Sequence, residues 1–111
     1  MRKGDSTEEL FITPETSVQL FIDEDGAALG CLCRIENGER ICDNPEVISM
    51  GPVMEIVTEK LPGACRFVVA YLKNDGSAYV KKGEYAEEKV SWTSEMTEEE
   101  CWMEELWALR N

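Results

Sequence analysis

From residue 18 onward, apolar and polar positions alternate with the period of a strand. Val18, Leu20 and Ile22 fall on one face, and "DEDG" then closes a turn whose glycine suits a left-handed position. A second strand is predicted over about residues 27 to 36 and a third over 39 to 42, joined by Asn37-Gly38, the pair best suited to a two-residue type I′ turn. That turn sets the register outward: Glu36 pairs with Glu39, Arg34 with Ile41, and Cys33 with Cys42. The last pair falls at a non-hydrogen-bonded position, where opposed Cα atoms approach to about 4.5 Å. Cys31, two residues along, shares that face.

The segment "GPVMEIVTEKLPG" fits a helix better than a strand. Helical spacing gathers Val53, Ile56, Val57 and Leu61, with Pro52 at the first position and Pro62-Gly63 as a stop. "RFVVAYLKNDGSAYVKKG" then reads as strand, Asn-Asp-Gly turn, strand, and "EEKVSWTS" as an extended piece with Val90 and Trp92 on one side. "MTEEECWMEELWALR" is the clearest helix, with Thr97 as cap, Glu100 closing a capping box and three glutamates at its positive end. On a helical wheel Trp102, Leu106 and Leu109 form the expected core stripe, with Met103 beside it and Trp107 at its edge. Glu100, Cys101, Glu104 and Glu105 fall on the far side.

"LFIDEDGAALG" and "AYLKNDGSAYV" match in pattern at an offset of 50, which suggests a pseudo-repeat of three strands and a helix. The expected fold is α+β: an antiparallel sheet of about five to six strands with helices packed on one face, ending in an amphipathic helix. Residues 1–16 read as an N-terminal arm or weak helix broken at Pro14, and 17–111 as a single domain. This order resembles PAS-like and profilin-like domains, in which strand pairs with Asp-Gly turns flank helices. The likeness is one of layout and carries no residues across.

Charge narrows the function. The net charge of -12 is unevenly spread: residues 31 to 83 hold seven acids and seven bases, residues 1 to 30 seven against two, and residues 84 to 111 nine against two. Such ends repel nucleic-acid backbone and anionic membrane, leaving neutral or basic partners. The longest uninterrupted apolar run, residues 67 to 72, is far below the ~20 residues of a membrane span. "MRKGDSTEEL" lacks the apolar stretch of a secretory signal, so a cytoplasmic location with reduced thiols is expected.

With no histidine in the chain, Ser-His-Asp and Cys-His catalysis are excluded, and no phosphate-binding glycine loop or calcium loop is present. Cys31, Cys33 and Cys42 read first as small buried packing residues. A cross-strand disulfide is the alternative in an oxidising setting, and a metal site a third. The leading expectation is a small acidic non-enzymatic protein without cofactor that binds a basic protein surface through Glu100, Glu104, Glu105 and Trp107, as an inhibitor occluding a surface meant for nucleic acid; bacterial and phage inhibitors often share this size and sign of charge. The alternatives are a small-molecule sensor or carrier holding its ligand between sheet and helices near Phe67 or Tyr71, and a homo-oligomeric structural subunit.

Overall fold

The computed structural model describes the backbone of residues 7–62 and 65–110, and their side chains apart from those of 7 and 108–110. In chain order the strands are β1 (Thr7–Thr13), β2 (Thr16–Ile22), β3 (Ala28–Glu36), β4 (Glu39–Cys42), β5 (Glu46–Ser49), β6 (Val53–Lys60), β7 (Arg66–Lys73), β8 (Ala78–Ala86) and β9 (Lys89–Trp92). The helix α1 (Glu98–Arg110) follows. One antiparallel sheet runs β1-β2-β3-β4 with β5 also on β3, and the other runs β6-β7-β8-β9. The Asn37-Gly38 hairpin has the register read from its turn, with Cys33 opposite Cys42 and Glu36 opposite Glu39.

The structure is richer in strand than the sequence suggested. Part of the expected arm is the edge strand β1, paired with β2 from Thr7 to Thr13; the first six residues lie outside the described ones. Five to six strands become nine, and α1 is the one helix among the described residues.

The predicted helix over residues 52–62 is instead β6, paired along β7. Its misleading period has a physical cause. The β6–β7 register shifts between Val53 and Glu55, a bulge that turns strand phase by one residue and leaves Val53 and Ile56 both buried. Spacing of three across a bulge imitates helical spacing. Loss of that helix also removes the element on which the likeness to PAS-like and profilin-like layouts rested.

The offset of 50 extends to backbone pairing. Gln19↔Cys31 corresponds to Val69↔Lys81, Cys33↔Cys42 to Gly83↔Trp92, and Gly30↔Glu46 to Val80↔Met96, each pair displaced by 50. Loop bonds repeat too: Asp23 N donates to Ala27 O and Lys73 N to Ser77 O. Each repeat is thus four strands of a meander followed by a segment that pairs with the third. That last segment is β5 in the first half and the Met96 bridge in the second.

The two repeats turn opposite faces to their common core. The first sheet contributes Val18, Leu20 and Ile22, whereas the second contributes Phe67, Val69 and Tyr71, which are offset by an odd number and therefore lie on the other face of the repeat. The sheets stack front to back. Phe67 meets Trp92 edge-on with ring centroids 5.4 Å apart, and lies so close over Gly83 that a Cβ there would sit 2.5 Å from the ring. The halves are joined at Gly51, whose φ of 76° and whose absent Cβ, 2.1 Å from the Gly26 carbonyl oxygen, admit glycine alone.

Candidate site: the groove under the terminal helix

Front-to-back stacking leaves two outward faces. On the second sheet this face carries Val68, Ala70, Val80 and Lys82, and α1 lies across it. Thr97 and Glu100 form the capping box that the spacing predicts: the Glu100 N–H donates to Thr97 Oγ1 at 3.2 Å, and the Thr97 N–H to Glu100 Oε1 at 2.9 Å. These bonds hold the Glu100 carboxyl below its ordinary range.

The helix is attached by an unexpected side. Cys101 and Glu105, placed on the far side of the wheel, are the buried residues among its described side chains, at 7% and 8% exposure. Glu105 accepts from Arg66 at 2.7 Å and from Lys82 at 2.9 Å, and Lys82 also pairs with Glu104 at 2.6 Å. Burial pushes the Glu105 carboxyl up, but the bonds from Lys82 and Arg66 outweigh it and the net direction is down. Lys82 is raised: burial opposes its charge, and bonds to Glu104 and Glu105 more than compensate. The expected core stripe faces outward instead, with Trp102, Met103 and Leu106 each more than half exposed, and Trp107 at 68%. The expected burial of Leu109 falls outside the described side chains.

Between α1 and the strands is a groove of about 860 Å³, lined mainly by apolar side chains. Val57, Val68, Ala70 and Val80 form its floor, Trp102 and Cys101 one wall, and Lys60, Arg66, Glu59 and Glu98 supply charge around it. A volume in this range suits a drug-sized ligand or a few side chains of a peptide.

Of the residues expected to bind a partner, Glu104 and Glu105 meet on Lys82, while Glu100 serves its own helix terminus. Glu105 is thus a buried anchor in place of the exposed charge expected. Phe67 and Tyr71 lie in the core between the sheets, on the face away from α1. The groove floor is hidden in the sequence because the spacing around Val57 is helical. A signal existed in Arg66 and Lys82, two basic residues on neighbouring strands that needed an acidic partner from elsewhere.

On the outward face of the first sheet, Cys33 and Cys42 are joined in a disulfide with Cα atoms 4.0 Å apart, which corrects the expectation of reduced packing thiols. Cys31 remains a buried free thiol, its acidity lowered by burial despite the nearby charge of Arg40. No described helix is long and apolar enough to cross a membrane. No protein-family model, curated protein or solved structure matches this chain.

Proposed function

We propose that the protein is a non-enzymatic binding module whose groove and terminal helix receive a basic, partly apolar segment of another protein. The observation that carries this reading is the inverted attachment of α1. The helix is fastened by Cys101 and Glu105, and it presents Trp102, Met103, Leu106 and Trp107 to solvent beside an apolar groove. Aromatic and methionine side chains are frequent interface anchors, and methionine adapts to varied partners. Charge selects the sign of the occupant, since residues 84 to 111 carry nine acids against two bases. Apolar side chains of the segment would enter beside Trp102 while its lysines or arginines meet Glu98, Glu99 and Glu104. Such capture suits an inhibitor that covers a basic, nucleic-acid-binding surface.

The test uses a lysine-leucine peptide and a glutamate-leucine counterpart, followed by the protein's own tryptophan fluorescence. The basic peptide should bind, more weakly as salt rises, and Trp102→Ala or the pair Glu98→Lys and Glu99→Lys should abolish binding while the melt survives. No binding of the basic peptide, or binding indifferent to charge reversal, would overturn the reading.

The groove volume supports a second reading, a carrier of a small anionic amphiphile held by the apolar floor with Arg66 or Lys60 at its head. Binding of a fatty acid that survives the charge reversals but is lost in Val68→Glu would favour it.

A further inference from the structure

The outward face of the first sheet holds three sulfurs that the groove does not use. Cys31 and Cys33 share a face of β3, and the Asn37-Gly38 hairpin brings Cys42 of β4 opposite Cys33. The three Sγ atoms all lie within 4.8 Å of one another, and those of Cys31 and Cys33 are 3.9 Å apart. Cys42 is exposed, whereas Cys31 and Cys33 are buried. The trio is therefore reachable from one side and shielded on the others.

We propose that, once the Cys33–Cys42 bond is opened, Cys31, Cys33 and Cys42 form a three-thiolate site for a soft monovalent cation, Cu(I). Metal–sulfur bonds of about 2.3 Å place the corners of a trigonal plane about 4 Å apart. The Cys31–Cys33 separation already has that value. Reduction need only let Cys42 part from Cys33 by rotation of side chains, on a backbone held by the hairpin and by β2.

Thiolate sulfur selects Cu(I) and Zn(II) over harder ions. Among the described residues no carboxylate or further cysteine joins the trio. Three sulfurs complete a Cu(I) site from the chain alone, while Zn(II) would have to keep a water in its fourth position.

The chemistry balances with a dithiol as reductant. The dithiol gives two electrons and two protons to the Cys33–Cys42 bond and leaves as its own cyclic disulfide, so that three thiols stand in the cluster. Cu(I) then forms three bonds to sulfur as three protons pass to solvent. The disulfide form lacks two of the ligands, and metal uptake is thereby gated by redox state.

The experiment reduces the full chain with a dithiol, removes the reductant without air, and titrates Cu(I) against a colorimetric Cu(I) chelator. Zn(II) and the disulfide form are run in parallel. The reduced chain should take one equivalent of Cu(I), and the disulfide form should fail to compete with the chelator. Cys31→Ser should bind at least about tenfold more weakly, with Cys65→Ser unchanged. Should Cys31→Ser fail to fold by circular dichroism, Cys42→Ser, at an exposed position, must show the same loss. Equal uptake by the disulfide form, full affinity in the folded Cys31→Ser or Cys42→Ser variant, uptake of Zn(II) alone, or no uptake would overturn the proposal.

Discussion

The repeat makes individual residues comparable across the two halves. The hairpin turn that Asn37-Gly38 makes in the first half, with φ of 54° and 79°, is made in the second by Glu87-Glu88, with φ of 52° and 65°. A left-handed conformation costs a residue with a Cβ roughly 1–2 kcal/mol, and asparagine and glycine least. Glu88 is exposed and is joined to the fold mainly through its backbone, so Glu88→Gly removes that cost without removing packing. The variant should be more stable by about 1 kcal/mol, read as a shift in urea midpoint at unchanged slope. A loss of stability would mean that the side chain contributes something the geometry does not show. Glu105 is the opposite case, a residue whose charge the fold uses. Its folded pKa lies below the ordinary carboxylate value of about 4.3. Its contribution is therefore present above that value and is lost as pH falls through the depressed one. Glu105→Gln should cost about 1–2 kcal/mol at neutral pH. The gap between variant and parent should close below about pH 4, as measured by denaturant melts across pH.

At the scale of elements, α1 behaves as a cover rather than as part of the core. The main apolar cluster draws Val18, Leu20, Phe67 and Val69 from the sheets and contains none of the described side chains of the helix. Deleting residues 97–111 should therefore leave cooperative unfolding, with a midpoint lowered by less than about 10 °C. It should also uncover Val68, Ala70 and Val80 and make the protein self-associate. Both are checked by a thermal melt and light scattering on the truncated chain. Loss of the cooperative transition would show that the two ion pairs to Lys82 and the seat of Cys101 matter more than the apolar cluster implies. β6 teaches the complementary lesson, because its strand state comes from pairing with β7 and its helical signature from a bulge.

For the whole molecule, front-to-back stacking is the organising feature. The covered face of the first repeat is the uncovered face of the second, and α1 stands where another repeat would lie. The opposite end of the stack mixes Ser17, Gln19, Glu9 and Arg40 with the exposed Phe11 and Ile35 around the disulfide. Neither half closes a core alone, since Val18, Leu20 and Ile22 are buried by residues of the other half. A fragment ending at Met50 should remain unfolded by circular dichroism even with its disulfide intact, and a fragment of residues 51–111 likewise. A cooperative melt in either would contradict the shared core.

By itself the sequence determined whatever depends on local chemistry. The Asn37-Gly38 turn, the opposition of Cys33 and Cys42 across it and the capping box at Thr97 all follow from residues within one hairpin or one helix turn. Their energies are spent locally and need no partner from afar. Tertiary structure decided the rest. Strand pairing with β7 overrode the helical spacing of residues 53 to 61, and stacking chose opposite faces of two repeats that share one pattern. On α1 the buried side went to Cys101 and Glu105 because Lys82 and Arg66, 19 and 35 positions before Cys101, offered a buried carboxylate two cationic partners. An amphipathic wheel records which side chains are apolar; which side is covered depends on what the opposite surface presents.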